Sequence, residues 1–393
     1  MTTSLQIGFI PLIDAAGLII AVEKGFIRAE GLEAALVREV SWSNVRDKLN
    51  IGLFDTAHLL APVPIASSLG LGHIKVPIVA PLTLSLNGNA ITVSRALHAA
   101  ISAEIEGDPL DPMATAQALS RVVARRRHTG RESLTFGMTF PFSTHNYQLR
   151  FWMAAGGIDP DEDVRLVVLP PPFMVDSIAD GQIDGFCVGA PWNSIAVERG
   201  VGDILHFGSE IMQRAAEKVL AARKVWAEKN PQTLAALVRA VVRGADFAEA
   251  ESNRVEVARI LARDEYVGVD ADVIIRTLEG RLKIASDGTV RQNDRHLLLA
   301  REDASIPDPV QAAWLYAQMV RWRQTPMSAE GLKTAEAVFR SDLYHSAFGR
   351  DGKQGPTSHP VSAFAGPAFD TKNIQSYLAA LQLGRDKRED PSR

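Results

Sequence analysis

The 393-residue chain has one cysteine, Cys187, which excludes an internal disulfide and a multi-cysteine metal site. That agrees with a reducing compartment. It has no apolar run near the roughly 20 residues that span a bilayer. It has no excess of positive charge: the net charge is −4, which gives no electrostatic case for direct nucleic-acid binding. The one local exception is the basic run 121–128 (RVVARRRH), which reads as a solvated helix end or as a contact for a partner or RNA. Nothing precedes the first expected strand at residue 5 except Met1-Thr2-Thr3-Ser4, which leaves no room for a charged, apolar export leader. The expectation is therefore a cytoplasmic protein. What is present is ordinary globular material, 46% hydrophobic and 22% charged residues, in a chain long enough for two domains.

The first third alternates strand and helix. Strands are expected at 5–12, 33–40, 55–60, 74–84 and 90–93. Ser41 or Ser43 can cap the helix that Gly52 ends, and Pro62 suits the first turn of another. Residues 95–132 read as mixed helix and loop. A second α/β unit follows, with strands at 134–140, 164–169 and 184–188 and a helix capped at Thr144. Residues 219–222 read as a crossover strand back to the first unit. Beyond 230 the chain reads as mainly helical: Leu234, Leu237, Val238, Val241 and Val242 form a stripe at helical spacing. Residues 346–368 are rich in Gly, Pro and Ser and suggest an extended arm, and 385–393 a charged, disordered end. These units predict α/β with two mostly parallel parts and a helical C-terminal region, and the opening strand followed by a helix that ends at Lys24-Gly25-Phe26 resembles the start of bilobal, periplasmic-binding-protein-like proteins, which implies two lobes with a cleft between them. The expected first lobe is 1–94 with 220–393, the second 133–219, and 95–132 an insertion or hinge.

Five short segments could carry chemistry. They contain Trp42 and His145 at strand-to-helix junctions, Asn89 in an Asn-Gly-Asn turn, Gly189 before Pro191, and Lys218 beside Glu217. Junctions of this kind lie at the carboxyl edge of α/β sheets, where ligands bind and helix N-termini offer unpaired N–H groups. Trp42, Asn89 and His145 can donate to a small oxyanion, Lys218 supplies a positive charge, and Gly189 permits close backbone approach. Each also has a plainer reading: packing for Trp42, a capping or core histidine for His145, turn chemistry for Asn89 and Gly189, a surface lysine for Lys218. Cys187, within an apolar strand, reads as an inert buried thiol.

The segments GFIPLIDAAGLIIAVEKGF, EVSWSNVRDKLNIGLFDTAHLLAPVPIA, NGNAIT, TFPFSTHNYQLRFWMAAGGIDP, DGFCVGAPWN and EKVLAARKVWAEKNPQTLAALV resemble the nitrate- and bicarbonate-binding family of ABC-transporter solute-binding proteins. The resemblance covers residues 5 to about 240. It implies that a nitrate or nitrite ion is held in the cleft by Trp42, Asn89, His145, Gly189 and Lys218. Asn89 stands where the nitrate binders carry glutamine. Bicarbonate binders carry an acidic residue at the lysine position, which helps hold calcium, so Lys218 argues against bicarbonate and a metal. No cofactor is implied. Without a leader, the chain resembles the cytoplasmic nitrate/nitrite sensors of the family. That resemblance implies a partner, a NasT-like ANTAR-type RNA-binding antiterminator, held when the anion is absent and released when it binds. The alternatives are a solute-binding component of a nitrate/nitrite ABC transporter and an enzyme on the same fold.

Overall fold

The computed structural model describes residues 3–72, 74–350 and 359–382. Among them are thirteen strands: β1 (Thr3–Phe9), β2 (Leu32–Arg38), β3 (Thr56–Leu60), β4 (Ile78–Asn87), β5 (Asn89–Ser94), β6 (Thr135–Met138), β7 (Arg165–Val168), β8 (Gly185–Gly189), β9 (Gly202–Phe207), β10 (Ala216–Arg223), β11 (Arg281–Lys283), β12 (Val290–Gln292) and β13 (Leu297–Leu298). They form a six-stranded sheet in the order β13-β4-β10-β3-β1-β2, a five-stranded sheet in the order β7-β6-β8-β5-β9, and the pair β11-β12. Each large sheet has a parallel part, β2-β1-β3 in one and β7-β6-β8 in the other, built from the predicted alternating units. The antiparallel part comes from strands that pass between the sheets: β10 against β3 and β4, and β5 against β8 and β9. The result is the α/β, bilobal, periplasmic-binding-protein-like fold, but its sheets are mixed and not mostly parallel as expected, because β10 and β5 cross between them and β13 adds an antiparallel edge to β4.

The division between the sheets falls earlier than the expected residue 94. β4 ends at Asn87 in the first sheet and β5 begins at Asn89 in the second. The chain crosses between the sheets through Asn87 (φ 60°) and Gly88 (φ 92°), a left-handed pair that asparagine and glycine adopt at least cost. The Asn87 side chain holds the crossing. Its Nδ2 donates to the carbonyls of Gln213 and Arg295, and its Oδ1 accepts from the Ala215 N–H. Segment 95–132, expected as an insertion or hinge, contains helices Arg95–Ser102 and Pro112–His128, which pack on the second sheet's side against β9 and helix Thr144–Ala155.

Local sequence accounts for the junctions around the cleft. Ser41 caps helix Trp42–Ile51 by accepting from the Asn44 N–H, and Gly52 at φ 85° closes it. At the matching junction in the second lobe the cap is Ser143, not Thr144. Ser143 Oγ accepts from the Asn146 N–H, while the Thr144 hydroxyl donates to the Ala216 carbonyl across the lobes. The stripe from Leu234 to Val242 is buried along helix Pro231–Glu249, which packs on helix Ala16–Glu23. At about 1.5–3 kcal/mol for each fully buried aliphatic side chain, that stripe anchors the helical region to the first lobe.

The mainly helical reading of the C-terminal region holds for helices such as Pro309–Arg321 and Ile374–Ala380 but misses β11, β12 and β13. Of the expected arm, residues 351–358 lie outside the described residues. Residues 359–364 run along the second lobe, with Phe364 N–H donating to Ile211 and Ala363 bridging Met212. The expected disordered end, 385–393, also lies outside the described residues. Among the described residues, no helix is long and apolar enough to cross a membrane.

Candidate functional site

All five residues singled out in the sequence meet where the two sheets face each other. Trp42 is the first residue of its helix and Lys218 lies in β10, both on the first sheet's side. Asn89 and Gly189 are directly paired cross-strand neighbours in β5 and β8, and His145 sits in the first turn of helix Thr144–Ala155. Trp42 is 1% exposed and Asn89, His145 and Lys218 are 0% exposed, so none is a surface group.

Lys218 is the centre of the arrangement. Its Nζ lies 2.8 Å from Asp14 Oδ2, 2.8 Å from Glu217 Oε1 and 5.4 Å from the centre of the Trp42 ring. Burial alone would lower its pKa, but Asp14 and Glu217 outweigh burial and raise it, so it is an ammonium ion. The Asp14 carboxyl is pushed up by burial, yet Lys218 and His58 prevail and hold it at about 2. Glu217 is raised by burial despite Lys218. His58 Nδ1 accepts from the Ile10 N–H, so its Nε2–H donates to Asp14 Oδ1 at 2.9 Å and the ring is neutral. His145 is held well below the usual histidine range, first by burial and then by Lys218.

Asp14, His58 and Glu217 were not among the residues expected here. Asp14 follows a buried strand within the apolar opening segment, and His58 sits inside β3, so both read as ordinary strand-end and core residues. Glu217 could be seen only as the neighbour of Lys218, and in a regular strand adjacent side chains point to opposite faces. β10 breaks that rule. Its pairing with β4 shifts between Ala216 and Lys218 and again between Lys218 and Val219. This irregularity lets Glu217 and Lys218 meet side by side.

Several buried polar atoms around the ammonium have no hydrogen-bond partner: Trp42 Nε1, Asn89 Oδ1 and His145 Nε2. Gly189 backs them. A Cβ built on it would come 3.3 Å from Asp14 Oδ2, 3.6 Å from Asn89 Oδ1 and 3.7 Å from His145 Nε2. The indole N–H and the imidazole nitrogen, next to one ammonium and a bare backbone, can be satisfied together by a small planar oxyanion, and Asn89 can join them once its amide turns to present N–H in place of its oxygen. Cys187 lies in β8, buried, with its thiol pushed well up by burial, which makes it a poor nucleophile. Among the described residues no group of three or more His, Cys, Asp or Glu side chains is placed to hold a metal ion.

Residues 1–262 match the model of the NMT1-like family. The chain belongs to that family. It is 33% identical to the nitrate/nitrite binding protein NrtA of Synechococcus elongatus, over 96% of this chain and 86% of that protein. It is 32% identical to the bicarbonate transport ATP-binding protein CmpC of the same species, over 98% of this chain, and spans about half (55%) of CmpC's length. Its structure superimposes on the crystal structure of the periplasmic nitrate-binding protein NrtA from Synechocystis PCC 6803 with a TM-score of 0.88 and 28% identity, covering 97% of this chain and 99% of that one. The nitrate and bicarbonate solute-binding proteins that its motifs resemble are thus its family relatives, and these are named for binding and transport.

Proposed function

We propose that the protein is a receptor for nitrate or nitrite, bound between the lobes by Trp42, Asn89, His145, Gly189 and Lys218. The observation that carries this reading is the buried Lys218 ammonium ringed by polar atoms that lack partners. An oxyanion there gains charge-assisted hydrogen bonds in a dry site, where each is stronger than in water. Because its donors come from both lobes, the anion favours the closed arrangement, with Asn87 and Gly88 at the crossing. The NrtA relatives support nitrate and nitrite as the ligands.

For its role we infer a solute-binding component of an ABC importer, since NrtA and CmpC are named for anion binding and transport. The sensor role expected from the sequence, with a NasT-like ANTAR antiterminator as partner, has no comparable support, and the transport reading is preferred to it; the cytoplasmic location stays a proposal from the sequence. Thermal unfolding with nitrate, nitrite, bicarbonate and chloride tests the ligand: nitrate or nitrite should raise the midpoint and chloride should not. Stimulation of a reconstituted permease ATPase by the loaded protein tests the role. Nitrate-released capture of an ANTAR regulator, with no permease stimulation, would restore the sensor.

A further inference from the structure

Glu217 is out of place in an anion site. The buried cluster has one cation, Lys218, and two carboxylates, Asp14 and Glu217, while His58 and His145 are neutral. A monoanion entering it would add to an excess of buried negative charge, which is costly without compensation.

The hydrogen bonds state the same conflict atom by atom. Asn89 Nδ2 donates to Glu217 Oε2 (2.6 Å) and Gln148 Oε1 (3.0 Å), so neither of its N–H groups is left for an anion. Its unpartnered Oδ1 faces Gly189, so an acceptor points where a donor is needed. Turning the amide over presents N–H to the anion but sets Oδ1 against Glu217 Oε2. That contact is favourable only if the oxygen carries a proton. Gln148 turns with it, at the loss of a 3.3 Å bond to the Gly208 carbonyl.

His145 gives a second reason to neutralise the Glu217 carboxylate. Its Nε2 is unpartnered, and its Nδ1 lies 3.2 Å from both Glu217 Oε1 and Thr139 Oγ1. For Nε2 to donate to an anion, Nδ1 of the neutral ring must accept. Thr139 can donate to it, but an ionised Glu217 would then face a lone pair at 3.2 Å. With the proton on Oε2, where the turned amide needs it, Oε1 loses its anionic charge and still accepts from Lys218, so the repulsion is reduced while Thr139 donates to Nδ1.

We propose that Glu217 takes up one proton as the anion enters, so that nitrate binds as a nitrate–proton pair and more weakly as pH rises. This rests on the anion-receptor reading above. Glu217 is surrounded by Lys218 on its own strand, Asp14 backed by His58, His145 and Gln148 on helix Thr144–Ala155, Asn89 on β5 and the neutral Cys187 thiol on β8. Among the described residues, only Glu217 touches the lysine, the imidazole and the amide at once. The proton comes from solvent, and no bond other than that O–H is made.

The test is calorimetric titration with nitrate from pH 6 to pH 9, in two buffers that differ in ionisation enthalpy. The expected result is a Kd that rises about tenfold per pH unit over part of that range. The buffer difference should there report close to one proton taken up per nitrate. Glu217→Gln, whose amide mimics the protonated acid, should bind at pH 9 as the wild type does at its low-pH limit, with no uptake. A wild-type Kd flat across the range with no buffer dependence overturns the proposal and leaves the receptor reading standing. Uptake that persists in Glu217→Gln overturns the assignment to Glu217. No nitrate heat from folded wild-type protein at any pH overturns both.

Discussion

Asp14 and Lys218, from the turn after the first strand and from the strand that returns from the second lobe, form an ion pair with 2.8 Å between Oδ2 and Nζ and with both side chains almost wholly buried. The pair ties the N-terminal segment to β10. Removing one partner leaves an uncompensated buried charge, which typically costs about 3–5 kcal/mol. Lys218→Met should therefore lower stability by about that amount in urea unfolding, with the slope of the transition unchanged. A change below about 1 kcal/mol would mean that the pair is not formed in solution.

The Asp14 carboxyl also makes stability depend on acid pH. Its folded pKa, at about 2, lies below its ordinary value of 3.8. The stability this gives is present in full above pH 4 and is lost as pH falls through about 2. Its size is about 2 kcal/mol. Unfolding free energies measured between pH 5 and pH 2 should show that loss in the wild type and not in Asp14→Asn.

Gly189→Ala separates binding from folding. Its added methyl would sit 3.3 Å from Asp14 Oδ2 and within 4 Å of Asn89 and His145, contacts that a slight movement absorbs. It would occupy the wall against which those groups converge. The variant should melt within a few degrees of wild type but bind nitrate at least tenfold more weakly; unchanged affinity would remove Gly189 from the site.

On the proposed anion-receptor reading, Trp42 contributes its N–H more than its bulk. Trp42→Phe keeps an aromatic ring beside His58, which the indole meets edge-on at 5.4 Å between centroids. It loses the unpartnered Nε1–H. A hydrogen bond to a charged acceptor is worth about 1.5–3 kcal/mol, so nitrate affinity should fall about tenfold to a hundredfold. An affinity within twofold of wild type would show that the indole only packs.

Much of this architecture is visible in the chain. Ser41 and Gly52 bracket a helix with side-chain chemistry that acts within a few residues, and the apolar stripe from Leu234 to Val242 reports a helix face directly. Trp42, Asn89, His145 and Gly189 could be picked out because each sits at a strand end or helix start, which is a local property, whereas Lys218, inside β10, stood out only as a charged residue in an apolar strand. What escaped is non-local. β9 carries Gly202-Asp203-Ile204-Leu205-His206-Phe207, whose polar residues are buried by partners far along the chain, including Thr115 on His206. β11 and β12 are three residues each, too short for a period to show. Glu217 was hidden by a strand irregularity that depends on its pairing with β4.

The central claim is that Lys218 and its unpartnered neighbours hold an oxyanion, and calorimetric titration of wild type and Lys218→Met with nitrate at pH 6 tests it most directly. The account predicts saturable binding of one nitrate per chain in the wild type and none in the folded variant. Equal nitrate binding by both proteins would contradict it.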